Sequence, residues 1–335
     1  MKKSRLIVIG LIVLLFAGVY IVFFRTNPVT SPTPAIIIIP KGMTVSQLGD
    51  SLVRKQLLNS KLTFDLAARL LGAGKKLHAG VYKIEYGLSN QEIVRRITGT
   101  EYALIFQATF PEGSTIYRVA SIAHERLRID STLFITYAKD SAFLHQLGIP
   151  REARTAEGYL FPDTYRFMFV ADPKSLVTMM VKRWRAIVMD SILKREMHKG
   201  ITLHELMTFA SIVEGEARLP SERDTIAGVY ANRLRIGMKL DADPTVQYGL
   251  HLNRPITHLD LMLPSPYNTY MFPGLPPGPC NNPGAAAIRA ALHPAKHSFL
   301  YFVARRDGSG GHYFSKSLAD QSKRINDSRR NAGGE

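Results

Sequence analysis

Residues 203–216 read LHELMTFASIVEGE. On a helix turning about 100° per residue, Leu203, Leu206, Met207, Ala210 and Glu214 share one stripe, with Glu214 within about 20° of its centre. A carboxylate on an apolar stripe is costly unless it is paired or neutralised. Burial raises a carboxyl pKa, and a carboxyl still protonated near neutrality can act as a general acid. The bland alternative is a structural ion pair with a buried arginine, for instance Arg233. Glu216 falls on the face of Glu205 and Thr208 and is expected to be exposed or supportive. Gly215 is expected to loosen the helix just after the acid.

Three loop-like clusters mix aromatic rings with polar groups. Glu157 to Tyr165 offers Glu157 and Tyr159, and Asp241 to Tyr248 offers Asp243, Gln247 and Tyr248. Ser265 to Tyr270 offers Asn268, Thr269 and Tyr270, leading into GLPPGPC. Such faces and edges suit sugars, although turn-forming segments of this kind are often structural. These eight residues are the candidate substrate contacts. Other chemistries are excluded. His204-Glu205 begins an HExxH pattern, but Thr208 stands where the second histidine is needed. There is no P-loop and no G-x-S-x-G elbow, and the ten histidines lack metal-ligand spacing, so no cofactor or metal is expected.

The elements that must position these residues contain a repeat. Pro40, Gly42, Thr44, Val45 and Leu48 recur as Pro111, Gly113, Thr115, Ile116 and Val119 at an offset of 71. Each copy reads as strand, P-x-G turn and Thr-capped helix. In the first, Ile36–Ile39 is expected as a buried strand, and Thr44 with Gln47 forms a capping box. A second helix over 60–72, a strand over 80–85 and a box-capped helix from Ser89 through Ile97 follow. This strand-helix-helix-strand order resembles a LysM glycan-binding module. Residues 51–100 carry nine Lys/Arg against three Asp/Glu, which suits a solvated basic face or an anionic ligand. Further on, 175–195 is expected to be helical, 298–314 a hairpin, and the polar tail after Asp320 frayed.

The chain has 335 residues, a net charge of +16 and one cysteine, Cys280. No internal disulfide or cysteine-rich zinc site is possible. The basic balance fits a polyanion, and the N-terminus narrows which one. Leu6 to Phe24 is an uncharged run of 19 residues, about 28 Å as a helix and close to a bilayer core. Lys2, Lys3 and Arg5 precede it, so the positive-inside rule puts the N-terminus in the cytoplasm. The run is longer than a signal-peptide core and no A-x-A-like site follows, so it is expected to remain as an anchor. The rest of the chain would then lie outside, at the cytoplasmic (inner) membrane, which argues against nucleic acid as partner.

ASIVEGEA (Ala210–Ala217), NRLRIGMKLDADPTVQYG, SPYNTY, GLPPGPCNNPG, ALHPAKHSFLYFVA and EGYLFPDTYRF together closely resemble the MltG/YceG-like family over essentially the whole chain. The resemblance implies a membrane-anchored endolytic lytic transglycosylase. Such an enzyme cuts MurNAc–GlcNAc bonds within nascent peptidoglycan, leaves 1,6-anhydroMurNAc ends and limits strand elongation. It implies Glu214 as the catalytic acid, peptidoglycan strands as substrate and synthases as candidate partners. Cys280 stands where the family carries a small aliphatic residue. Two alternatives stay open: a muramidase using water with Glu157 or Asp163 as base, and a non-catalytic glycan-binding scaffold. The expected fold is α+β: tail 1–5, transmembrane helix 6–24, linker 25–35, LysM-like βααβ module 36–100, mixed α/β catalytic domain 101–325 and polar tail 326–335.

Overall fold

In the computed structural model, which describes residues 2–40, 42–167, 172–195 and 200–332, the apolar N-terminal run is helix α1 (Lys2–Val19), continued by a π-helical segment over Tyr20–Phe24. The span Arg5–Phe24 is long and apolar enough to cross a membrane. The chain divides into two compact units, Met1–Gln107 with Tyr165–Ala171, and Ala108–Thr164 with Asp172–Glu335.

In the first unit, β1 (Ala35–Ile39) pairs antiparallel with β2 (Gly80–Ile84), Ala35 opposite Ile84 and Ile39 opposite Gly80. Between them run α2 (Val45–Arg54) and α3 (Lys61–Leu70), and α4 (Asn90–Thr98) follows. Both expected capping boxes form, Thr44 with Gln47 and Ser89 with Glu92. The isoleucine run of β1 is buried on one face only. Ile37 and Ile39 join Leu48, Leu52, Phe64, Tyr82 and Ile93 in the core, whereas Ile36 and Ile38 are exposed. Alternation, not composition, sets which isoleucines are buried in this two-stranded antiparallel ribbon. The expected linker is tied down at its start. Asn27 N–H donates to Leu88 O, Gly87 N–H to Pro28 O, and the buried Asn27 side chain accepts from Asn59 N–H.

The second copy of the repeat keeps the register of the first. Strand β3 (Phe106–Thr109) precedes the P-x-G turn and α5 (Ile116–Leu127) starts at Ile116, as α2 starts at Val45. Gly42 and Gly113 both have positive φ, +87° and +73°, which is why the turn carries glycine there. After α6 (Ser131–Lys139) and α7 (Ser141–Gln146), β4 (Thr164–Phe167) pairs with β3. The helix expected over 175–195 is α8 (Pro173–Trp184), which rewinds as a π-helix over Arg185–Ile192 and a short 3-10 turn.

Helix α9 (Leu203–Glu216) carries Glu214 and packs on α12 (Ala285–Leu292). Thr202 and Glu205 form its capping box, so Glu205 has a helix-starting role that needs no metal. Around them lie α10 (Arg223–Arg235) and α11 (Asp243–Gly249). The hairpin forms as β5 (Tyr301–Ala304) against β6 (His312–Ser315). The expected frayed tail is instead α13 (Leu318–Ala332), with Ser328 buried and Gln321 Nε2 donating to Phe302 O. Its charged composition hid the fact that a few small or amide side chains suffice to pack it on the hairpin.

Candidate active site

The Glu214 side chain is only 7% exposed. Its Oε2 accepts from Gly284 N–H at 3.0 Å, at the start of α12, and its Oε1 is 3.5 Å from Arg223 Nη2. Burial pushes its pKa above the usual carboxylate range, against the Gly284 amide and the Arg223 charge, while Glu112 adds repulsion that raises it further. The acid is thus desolvated yet held by a backbone donor. Arg223, not Arg233, is its cationic neighbour. Arg233 is spent on the carbonyls of Leu240 and Leu300 and on Asp241.

Gly215 does not loosen the helix, which runs on to Glu216. A Cβ there would lie 2.6 Å from Pro244 Cγ and 3.4 Å from Asn281 Nδ2, so glycine permits close approach of α11 and the 280–282 segment. A cleft of about 860 Å3 opens here, lined by the Pro111–Thr115 turn, Arg118, Gly215, Gln247, Tyr248 and Asn281. A Cβ on Gly113 would lie 3.7 Å from Glu214 Cγ, so the turn brings the cleft wall to the acid.

Behind that wall is a buried polar knot. Both Glu157 oxygens accept from Ile116 N–H, at 3.1 and 3.0 Å, at the start of α5. Asn282 Nδ2 donates to Glu157 and to Ser114 O, and its Oδ1 accepts from Leu160 N–H. Full burial raises the Glu157 pKa to about 8, so the knot holds a neutral carboxyl at neutral pH.

A second cavity, about 360 Å3, shares Gly215, Pro244 and Gln247 with the first and contains Glu216, Asp243, Tyr230 and Tyr270. Tyr230 Oη is 3.0 Å from Glu216, and Tyr270 Oη donates to Asp243 at 2.6 Å. Burial, then the Asp243 charge, raise the Glu216 pKa to about 7. Glu216 is therefore a desolvated member of the site region rather than an exposed residue.

The expected substrate contacts fall into two groups. Asp243, Gln247, Tyr248 and Tyr270 line the two cavities. Glu157, Tyr159, Asn268 and Thr269 are buried and brace the walls. Tyr159 bonds His204 at 2.8 Å and meets Trp184 edge-on. Asn268 Nδ2 donates to Leu261 O and Leu263 O, and Thr269 Oγ1 accepts from Ala242 N–H. Asp163 is held by Arg183 and does not line either cavity. Cys280 is buried, and its thiol is pushed up to about 12 by that burial.

Sequence reasoning missed Glu112, Arg223 and Asn281. Glu112 is the variable residue of the repeated P-x-G turn, a position that could have drawn attention. Asn281 Nδ2 donates to Ser211 O, which fixes the amide orientation and leaves Oδ1 without a hydrogen-bond partner.

This arrangement has relatives. The YceG-like family matches residues 37–327. An endolytic murein transglycosylase of Bacillus subtilis (strain 168) is 33% identical over 312 residues, 88% of this chain and 84% of that protein. The protein of the same name from Streptococcus pneumoniae serotype 2 is 28% identical over 86% of this chain and 57% of its own length. The crystal structure of a yceG-like protein from Listeria monocytogenes aligns with a TM-score of 0.59 at 30% identity, covering 88% of this chain and 99% of that one. The chain belongs to the YceG-like family.

Proposed function

We propose that this chain is an endolytic lytic transglycosylase that cuts peptidoglycan glycan strands, with Glu214 as the catalytic acid and base. The observation that carries the reading is a nearly buried carboxyl of raised pKa beside a cleft of about 860 Å3 lined by both apolar and hydrogen-bonding groups. Protonated Glu214 gives its proton to the departing glycosidic oxygen while positive charge develops at C1 of MurNAc. The resulting carboxylate takes the proton from the MurNAc 6-hydroxyl, whose oxygen bonds to C1. The product is a 1,6-anhydro end, and no water is consumed. One residue serves both proton transfers, so the distant Asp163 and the buried Glu157 are not needed as a second carboxylate. Asp243, Gln247, Tyr248 and Tyr270 are the proposed sugar contacts, with Glu157, Tyr159, Asn268 and Thr269 shaping the walls behind them.

Helix α1 supports a single-pass anchor with the N-terminus inside and the folded units on the outer face. The order β1-α2-α3-β2 supports a LysM-like glycan-binding role for the first unit. Tethering would concentrate the enzyme on nascent strands and bias cutting to young, uncross-linked glycan. The test is mass spectrometry of ends released from purified uncross-linked strands by the full chain. The expected ends are lighter than hydrolysed ends by one water. Reducing ends would replace the mechanism with hydrolysis, and binding without cleavage would favour a scaffold.

A further inference from the structure

The anchor and the module behind it meet at a buried amide, Asn90. Asn90 Nδ2 lies 2.9 Å from the carbonyl oxygen of Val22, in the last turn of the anchor, and 3.3 Å from Thr63 Oγ1 on α3. Asn59 Nδ2 donates to Thr26 O at 2.8 Å, and Thr26 bridges to Ser89. Helix α3 thus packs directly on the final turn of the anchor, with no slack between them. The 20 residues Arg5–Phe24 rise about 30 Å, the thickness of a hydrocarbon core. Val22 then lies about 3 Å inside the boundary at the anchor's C-terminal end, and Thr63 is held at that level.

Next to Thr63 on the helix surface runs an unpartnered apolar stripe. Leu62, Leu66 and Leu70 are 82%, 45% and 64% exposed. At i, i+4 and i+8 they drift by about 40° per step, so they form one continuous ridge. Lys61 beside it is paired with Asp50 at 2.7 Å, while Arg69 flanks the ridge and Arg25 follows the anchor, which leaves two arginines as a basic rim for an apolar ridge.

We propose that α3 is an interfacial membrane helix: its leucine ridge enters the acyl boundary of the leaflet at the anchor's C-terminal end, and its basic rim meets anionic headgroups. This rests on the proposed anchor and adds a second lipid contact that fixes the orientation of the first unit against the bilayer. The occupant is lipid rather than another protein because the Thr63 end of the ridge is held where the anchor leaves the hydrocarbon, and because the free charges beside it, Arg69 and Arg25, are basic.

Nitroxide labels on Leu62→Cys, Leu66→Cys and Leu70→Cys test this in the full chain, reconstituted in nanodiscs of phosphatidylethanolamine and phosphatidylglycerol. All three positions are exposed, so the changes spare the core, and native Cys280 is 2% exposed and escapes labelling. The expected result is several-fold lower collision with a water-soluble nickel chelate than at Arg126→Cys on the second unit, with oxygen collision raised. Nickel collision equal to that at Arg126→Cys overturns the proposal. Labels that are immobilised and shielded from both reagents also overturn it, in favour of a protein contact. A label at Val13→Cys separates the two readings. If it is lipid-exposed while the leucine labels are wet, only this inference fails, and if it is wet, the anchor fails with it.

Discussion

The same strand, P-x-G turn and Thr-capped helix is built twice, and the two copies differ in what else holds the start of the helix. In the first, the cap is local: Thr44 N–H donates to Gln47 Oε1 and Gln47 N–H to Thr44 Oγ1. In the second, Arg118 stands at the position of Gln47. Thr115 still accepts from Arg118 N–H, but the Ile116 amide is taken by Glu157, a buried residue from outside the repeated motif. The consequences are chemical. Around Gly42 a Cβ would meet nothing within 4 Å, whereas Gly113 faces Glu214. The residue between Pro and Gly is Glu112 in the second copy and raises the Glu214 pKa. A copy whose first helical amide is also taken from elsewhere in the chain is locked into a larger network, and its turn is then available as a site wall.

The largest expected effect is at the acid. Glu214→Gln should lower turnover on purified strands by on the order of 10²–10⁴-fold, while Gln47→Ala in the first copy should leave turnover unchanged. Equal losses in both would erase the distinction between the copies. The two caps should also differ in stability. Asn282→Ala strips partners from Glu157, Ser114 O and Leu160 N–H and should cost about 2–4 kcal/mol in urea unfolding. Gln47→Ala removes one exposed local cap and should cost about 0.5–1 kcal/mol.

Proton linkage sharpens the contrast. The Glu157 pKa rises from 4.5 to about 8 on folding, so the unfolded state binds fewer protons between those values. Stability from this group is full below pH 4.5 and is lost as pH rises through about 8. Melting temperature should therefore fall across that window, and Glu157→Gln should flatten the fall. An unchanged slope would assign the fall to Glu216, whose pKa burial raises to about 7, instead of Glu157.

Smaller effects separate strain from chemistry. Gly42→Ala and Gly113→Ala should each cost about 1 kcal/mol for the left-handed backbone, but only Gly113→Ala should lower turnover. The rate should fall as pH rises through the raised Glu214 pKa, because the acid must be protonated. Removing the Glu112 charge lowers that pKa, so Glu112→Gln should move the alkaline limb to lower pH. Arg223→Gln should move it to higher pH, and a shift in the same direction for both would refute the electrostatic assignment.

What the sequence determined by itself was local. Capping boxes, the short motif repeated at an offset of 71 and the hairpin depend on near neighbours in the chain, and the stripe that singled out Glu214 is a property of one helix. Tertiary structure decided the rest, because desolvation and pairing depend on groups far apart in the chain. It chose Arg223 over Arg233 as the neighbour of Glu214, and it buried Glu157 against an amide 41 residues away. It drew Glu216 into a cavity with Asp243, and it put Pro244 against Gly215 where a loosened turn was expected. It also ordered the polar C-terminal segment as a helix, since its two buried side chains, Gln321 and Ser328, are themselves polar and give no apolar stripe to read.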